Sequence, residues 1–145
     1  MRRVAVGSLR LAAAAIALVA GEASGDLLGA GPDLPYAQRL EGLTAAGIAL
    51  WDVIAACERA GSLDADIVRR SVAPNDFGVF FAVHRDISRV FFNGAAAETA
   101  FRRHVLPGLA GSSLRLARLP STSPAHAACS YADKLAAWSA ILGAG

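Results

Sequence analysis

Short apolar segments alternate with helical patterns along this chain, and this alternation restricts the fold more than any other feature. Residues 48–53 and 89–92 have the length and the residue types of buried strands, and residues 114–119 form a third strand pattern in which Leu alternates with Arg or Ala. Helical patterns separate these strands, so their connections are crossovers rather than tight turns. Strands joined in this way form a mainly parallel sheet with helices on both faces. The sequence therefore predicts an α/β protein.

Proline and glycine mark the ends of the predicted helices. Pro35 is suited to the start of a helix that runs to about Ala46, and Gly47 is well placed to end it. Pro74-Asn75-Asp76 is a favourable start for a short second helix. The predicted helices are 33–46, 74–84, 95–105 and 131–142.

The composition fits one domain that spans residues 1–145. The chain has 145 residues, of which 54% are hydrophobic, enough for a single core and too many for a disordered chain. Its longest apolar run, residues 11–21, is about half of the roughly 20 residues that a membrane-spanning helix needs. We therefore expect neither a membrane protein nor a disordered one.

The first thirty residues allow two interpretations. Arg2, Arg3 and Arg10 precede the apolar run, and small residues follow it, as in a secretory signal. The same residues also suit a buried strand, at 4–6 or at 16–20, followed by a glycine-rich turn. Periodicity does not separate these interpretations, because short apolar runs look alike. A small secreted α/β protein therefore stays an alternative.

The charge is small but unevenly distributed. The net charge is +2, and Lys134 is the single lysine. Residues 85–118 contain six arginines and only two acidic residues: Arg85, Arg89, Arg102, Arg103, Arg115 and Arg118 against Asp86 and Glu98. Such a region suits a phosphate-facing surface or, as the more ordinary alternative, a set of solvated helix faces.

The two cysteines give no sign of a metal centre. Cys57 and Cys129 are far apart in the sequence and belong to no zinc-binding or iron–sulfur pattern. We expect buried free thiols in a reducing cytoplasm, with a single disulfide as the alternative. We expect no metal and no cofactor.

Polar residues end the predicted strands. Trp51-Asp52, Asn93-Gly94 and the loop 120–124 all stand at carboxyl ends, where parallel sheets bind their ligands. A partly desolvated Asp52 would accept a proton or orient a water molecule, unless it caps the next helix. The amide of Asn93 offers a donor and an acceptor to a planar heterocycle, unless it too serves as a cap.

The loop after the last strand is rich in hydroxyl groups. Ser121, Thr122 and Ser123 stand between Pro120 and Pro124. Three hydroxyls between two prolines make a stiff hydrogen-bonding array that suits a phosphate backbone. The alternative is an ordinary Ser/Pro connector.

Five ordered motifs carry a family resemblance that covers about residues 33–142. They are Trp51-Asp52-Val53, Gly61-Ser62-Leu63-Asp64-Ala65-Asp66-Ile67, Pro74-Asn75-Asp76-Phe77, Val90-Phe91-Phe92-Asn93-Gly94 and Leu119-Pro120-Ser121-Thr122-Ser123-Pro124-Ala125-His126-Ala127. The segment from Tyr131 to Trp138 closes the series. Together they resemble the hypoxanthine-DNA (deoxyinosine) glycosylase branch of the uracil-DNA glycosylase superfamily. The resemblance implies a three-layer α/β/α fold around a mainly parallel sheet.

The resemblance also implies a function. Such an enzyme flips a deaminated base, hypoxanthine or uracil, out of double-stranded DNA and hydrolyses its N-glycosidic bond without a metal or cofactor. Its implied site comprises a catalytic residue, Asp52; a base pocket, Trp51, Asn93 and Gly94; and DNA-binding residues, Pro120, Ser121, Thr122, Ser123 and His126. We expect a cytoplasmic monomer that does not contact a membrane.

Residues 1–32 depart from the family. Its members carry a Gly-Ser turn followed by a segment with Tyr, His and Asn that positions water and stacks on the base. Here only Gly7-Ser8-Leu9 resembles that turn, and alanines follow. A truncated glycosylase is one interpretation, and a catalytically inactive DNA-binding remnant of the family is the alternative.

Overall fold

The structure is a computed structural model that describes residues 34–58, 68–123 and 126–142, together with the backbone of residues 15–19. The remaining N-terminal residues, the motif at 61–67 and the pair Pro124 and Ala125 lie outside the described residues. Helices and strands alternate along the described chain: β1 (Ala15–Val19), α1 (Tyr36–Ala45), β2 (Ile48–Asp52), β3 (Ile54–Ala56), β4 (Ala73–Pro74), α2 (Phe77–Val83), β5 (Arg89–Asn93), α3 (Gly94–His104), β6 (Arg115–Leu119) and α4 (Tyr131–Trp138).

A parallel sheet lies at the centre of the fold. Its strands are ordered β2-β1-β5-β6, and every neighbouring pair is parallel. The α/β class and the mainly parallel sheet predicted from the sequence are confirmed. The three strands predicted after residue 33 all occur, within one residue of their predicted ends.

The helices begin and end largely where the sequence predicts. The side chain of Asp76 accepts a hydrogen bond from the backbone N–H of Val79 and caps α2. Gly47 follows α1 with a φ of 76°, a left-handed conformation that glycine adopts without strain. The last helix is shorter than predicted, because the chain tightens after Trp138 into a 3-10 turn at Ser139–Ile141.

A small antiparallel pair, β3 with β4, was not predicted. It joins Ile54 to Pro74 and Ala56 to Ala73. Segments of two or three residues are too short to show a periodic pattern, so only the folded chain reveals their pairing.

Two apolar clusters pack against the sheet and make three layers. The larger one joins Val90 and Phe92 of β5 to residues of α2 and α3, such as Phe77 and Phe101. The smaller one joins strand residues to α1 and α4: Leu43, Ile48, Phe91, Leu119, Trp138 and Ile141. Neighbouring residues of a strand point to opposite faces, so Phe91 and Phe92 enter different clusters.

The apolar N-terminal run contributes β1, which lies between β2 and β5. Of the two interpretations of this run, the strand at 16–20 is therefore the one that the structure confirms, shifted by one residue. In the part of the chain that the structure describes, no helix has the length and apolarity needed to cross a membrane.

Candidate active site

One row of residues crosses the carboxyl edge of the sheet. Asp52 pairs with Val19, and Asn93 pairs with Leu119. Leu18 pairs with Phe92, so the next residues, Val19 and Asn93, lie at the same level. Asp52 and Asn93 are therefore two strand spacings apart, or about 10 Å. The predicted convergence of polar strand ends at one edge is confirmed.

Asp52 has a partly desolvated carboxyl group. Burial raises the pKa of the Asp52 carboxyl above its ordinary value of 3.8. No described side chain donates a hydrogen bond to this carboxylate; the contact of Asp52 is through its backbone carbonyl, which accepts from the Asn75 amide at 2.7 Å. The residue is followed by β3 rather than by a helix, so the helix-cap alternative is wrong.

The side chain of Trp51 lies on the face of the sheet opposite to that of Asp52 and Asn93. Its ring packs edge-on against Phe80 of α2, with 4.3 Å between the ring centroids, and borders the larger apolar cluster. Asp52, the next residue, points to the opposite face, which is the face of Asn93. The structure therefore brings Asp52 and Asn93 to one face and does not bring Trp51 there.

Asn93 holds the hydroxyl-rich loop. Its side-chain oxygen accepts from the backbone N–H of Thr122 at 2.8 Å, and its side-chain nitrogen donates to the Thr122 hydroxyl at 2.8 Å. It makes no side-chain cap bond to α3. The helix-cap alternative for Asn93 is therefore wrong as well. One amide hydrogen and part of the oxygen's acceptor capacity stay available for another group.

Gly94 allows the loop to approach β5 closely. Its φ is 83°, and a Cβ built on it would lie 3.0 Å from the Cβ of Ser121. A side chain at this position would be strained by its backbone and would push against the loop. Gly94 is therefore a contact surface for the loop.

The helix α4 anchors the loop from the other side. The indole nitrogen of Trp138 donates to the carbonyl of Pro120 at 2.9 Å, and the Nζ of Lys134 donates to the carbonyl of Ser123 at 3.1 Å. Sequence reasoning missed both anchors. The sequence does carry a signal for them. Lys134, the single lysine of the chain, and Trp138 are four residues apart and so lie on one face of the helix.

The four loop residues differ in exposure. Thr122 is only 5% exposed, and its hydroxyl bonds Asn93, so it is not open to a phosphate as the sequence interpretation supposed. Ser121 is half-buried, and its hydroxyl accepts from the backbone N–H of Ser123 at 3.2 Å. Ser123 and His126 are exposed, and the His126 backbone N–H donates to the carbonyl of Ser123 at 3.0 Å.

Of the arginines in residues 85–118, Arg118 lies one residue before Leu119 at this edge, whereas Arg103 and Arg115 lie away from it. The helix α3 starts at Gly94, at the carboxyl edge, and Arg103 follows nine residues later, about 14 Å along the helix axis. Arg115 begins β6 and so stands at the opposite, amino edge. Arg102 and Arg118 are both exposed and both pair with Glu98. This placement favours the solvated-face interpretation for Arg103 and Arg115.

The described residues contain no group of three or more His, Cys, Asp or Glu side chains that could hold a metal ion. The thiols of Cys57 and Cys129 are free, as expected, and each is half-buried.

A solved structure has the same architecture. It is a solution NMR structure of a "putative Uracil DNA glycosylase" from Methanosarcina acetivorans, 26% identical in sequence, with a TM-score of 0.66. The match covers 90% of this chain and 89% of that one. The chain has a uracil-DNA glycosylase fold. No protein-family model and no curated protein matches it. Within this glycosylase fold, the described edge carries Asp52, Asn93 and the anchored loop together.

Proposed function

We propose that this protein is a DNA glycosylase of base-excision repair that removes a deaminated base, hypoxanthine or uracil, from double-stranded DNA. The observation that carries the proposal is the set of polar groups at the carboxyl edge of the sheet. A desolvated carboxyl group and an amide lie on one face of the sheet, beside a loop that three side chains hold in place. The similarity to the "putative Uracil DNA glycosylase" from Methanosarcina acetivorans over nine-tenths of the chain supports the same activity class.

The reaction is a hydrolysis. The bond between C1′ of the deoxyribose and the base nitrogen breaks, and the electron pair leaves with the base. The oxygen of a water molecule bonds to C1′, and the water loses one proton while the departing base gains one. The products are the free base and an abasic deoxyribose. The target bond is inaccessible in stacked DNA, so the nucleotide must first be flipped out.

Asp52 is our proposed catalytic residue. An ionised carboxylate with no described hydrogen-bond donor stabilises the positive charge that develops on the sugar, and it orients or deprotonates the attacking water. Partial exclusion of solvent strengthens this electrostatic effect, because the charge is less screened than in water.

Asn93 and the loop provide the recognition that we propose. The part of the Asn93 amide that Thr122 leaves available faces the same side as Asp52 and suits the polar edge of a base. We propose that Ser121 and Ser123 contact the phosphates that flank the flipped nucleotide. Ser123 is exposed and Ser121 is half-buried. Hypoxanthine is one of the two candidate bases because the five sequence motifs resemble the deoxyinosine glycosylase branch.

Release of the base from defined duplexes tests the proposal. Labelled duplexes with one inosine or one uracil are incubated with the protein, and strand cleavage at abasic sites is measured after alkali. We expect cleavage at the modified position, and we expect Asp52→Asn to lower the single-turnover rate by about 10²- to 10⁴-fold, the usual contribution of acid–base catalysis. Tight binding of these duplexes without release of either base would overturn the proposal and establish the alternative, an inactive DNA-binding remnant.

A further inference from the structure

The motif Pro74-Asn75-Asp76-Phe77 begins α2, but its second residue also contacts the candidate active site. The side-chain nitrogen of Asn75 donates to the backbone carbonyl of Asp52 at 2.7 Å. A carbonyl oxygen only accepts hydrogen bonds, so the NH₂ group of the Asn75 amide must be the one that faces it. Asn75 therefore holds the backbone of the proposed catalytic residue, although the two are 23 positions apart in the sequence.

The end of β2 needs this support. Asp52 is the last residue of the strand, and its pairing with Val19 is the last pair of the ladder between β1 and β2 among the described residues. The backbone N–H of Asn75 also donates to the carbonyl of Val53, the next residue, at 3.0 Å. One residue thus holds two consecutive carbonyls at the point where the parallel ladder stops.

Asn75 is itself held in place from both ends. The residue before it, Pro74, belongs to β4 and pairs with Ile54 of β3. The residue after it, Asp76, caps α2, whose first residue Phe77 is only 2% exposed and packs in the larger apolar cluster. A strand pair and a packed helix therefore fix the amide beside the end of β2.

The orientation of the Asp52 carboxylate follows from this arrangement. No described side chain bonds the carboxylate, so its direction depends on the backbone that carries it. We propose that Asn75 is a positioning residue for base release: its amide fixes the strand end that aims the Asp52 carboxylate at the flipped nucleotide. This inference rests on the proposed function, which makes Asp52 the catalytic residue.

Two variants of neighbouring residues test the role of the amide. Asn75→Ala removes the bond to the Asp52 carbonyl, and Asp76→Ala, the matched control, removes the cap bond to Val79 and leaves both bonds of Asn75 in place. Both variants should lower the Tm, since each loses a hydrogen bond. Only Asn75→Ala should lower the single-turnover rate of base release, by about 10- to 100-fold, the cost of a misplaced reacting group. The affinity of both variants for an inosine duplex should equal that of the wild type.

A double-mutant cycle with Asp52→Asn separates positioning from a general loss of structure. If Asn75 acts through the carboxylate, Asn75→Ala should change the residual rate of Asp52→Asn by no more than about twofold. A purely structural role lowers the rate by the same factor in both backgrounds. Equal factors would overturn the inference, and so would a wild-type rate in folded Asn75→Ala or a weaker duplex affinity with an unchanged rate.

Asn75→Gln takes the place of Asn75→Ala in the cycle if the alanine variant fails to fold. It keeps the amide donor on an arm that is one methylene longer, so it displaces the strand end instead of releasing it. We expect a lower rate than in the wild type and no further loss in the Asp52→Asn background. Equal losses in the two backgrounds would again overturn the inference.

A titration of the Asp52 carboxyl group tests the inference without catalysis. Its carboxyl carbon is followed by ¹³C NMR and identified by the absence of its signal in Asp52→Asn. Burial raises the pKa of this group, and a released strand end admits water, so Asn75→Ala should move the midpoint toward the ordinary value of 3.8. Asp76→Ala should leave the midpoint unchanged. An unchanged midpoint in folded Asn75→Ala would overturn the inference.

The two proposals fail separately. Base release by the wild type together with equal losses in the cycle rejects the positioning role alone. Absence of base release by the wild type rejects glycosylase activity, and the carboxyl titration then decides whether Asn75 positions Asp52.

Discussion

Asn93 and Thr122 join the carboxyl end of β5 to the loop after β6 through a reciprocal pair of hydrogen bonds, each 2.8 Å long. The two residues are 29 positions apart in the sequence, and the Thr122 side chain is buried. A single amide thus fixes a loop residue through both its backbone and its side chain. This relationship makes Asn93 a determinant of loop geometry as well as a candidate contact to the base.

The first prediction concerns this pair. Asn93→Ala leaves the buried N–H of Thr122 without its side-chain acceptor, a loss worth about 1–3 kcal/mol. Urea denaturation should show a lower free energy of unfolding by that amount. Thr122→Val, which removes only the hydroxyl, should cost less, about 1 kcal/mol. This prediction treats the bond from the Thr122 backbone N–H to Asn93 as the stronger of the two. Equal losses of unfolding free energy in both variants would contradict it.

The second prediction concerns Gly94. Gly94→Ala places a Cβ in a left-handed conformation and 3.0 Å from Ser121, so we expect a loss of about 1–3 kcal/mol of stability and weaker DNA binding. Gly42→Ala is the matched control: it lies in α1 with open space around it and should stabilise the protein by up to about 1 kcal/mol. Thermal unfolding measures the change in Tm of each variant relative to the wild type. Gly94→Ala should lower the Tm, and Gly42→Ala should raise it.

The third prediction follows from the carboxyl group of Asp52. Burial raises the pKa of this carboxyl group in the folded protein, so folding favours its protonated form. The contribution of this group to the free energy of unfolding is therefore lost as the pH rises through the folded-state pKa. At neutral pH, Asp52→Asn should therefore have a higher Tm than the wild type. The difference should vanish below the ordinary pKa of 3.8, where both side chains are neutral. A lower Tm for the variant at pH 7 would show that the carboxylate has a stabilising partner.

Asp52 also predicts the pH profile of base release. If the ionised carboxylate is required, the single-turnover rate should fall as acid protonates it, with a midpoint above the ordinary aspartate value. In the residual activity of Asp52→Asn this acidic limb should be absent. An identical acidic limb in both proteins would assign the titration to another group.

The fourth prediction concerns the two loop serines. Removing both hydroxyls in the double variant Ser121→Ala, Ser123→Ala should weaken binding of an inosine duplex at least about tenfold, since bonds to charged phosphate oxygens are worth about 1.5–3 kcal/mol each. Its Tm should change little, because neither hydroxyl lies in the core. The control is the double variant Ser112→Ala, Ser113→Ala, an exposed pair that precedes β6 at the amino edge. Unchanged affinity in the folded loop variant would establish the connector alternative.

The fifth prediction concerns the arginines at the far edge. The double variant Arg103→Gln, Arg115→Gln should keep the wild-type affinity for DNA and the wild-type salt slope. Arg115 begins β6 at the amino edge, and Arg103 lies about 14 Å along α3 from the carboxyl edge. A slope reduced by about 0.9 for each lost charge would instead place a DNA surface there.

The order of the elements and the edge at which polar residues meet follow from local patterns in the sequence. Apolar runs such as residues 89–92 specify strands through local composition, and Pro35, Gly47 and Asp76 mark helix ends through local backbone chemistry. Parallel strands with helical crossovers necessarily place their carboxyl ends together. The meeting of Asp52, Asn93 and the loop followed from these local signals.

The contacts that each of these residues makes depend on the tertiary structure. The alternation of a strand sends Trp51 into the core and Asp52 to the other face, but the face that carries the site depends on which helices cover it. The bonds from Asn93 to Thr122 and from Lys134 to Ser123 join residues 29 and 11 positions apart. Hydrogen bonds of this kind depend on how helices and loops pack in three dimensions, and no local pattern records them. For the same reason the sequence placed Thr122 among the exposed hydroxyls, whereas packing buries it.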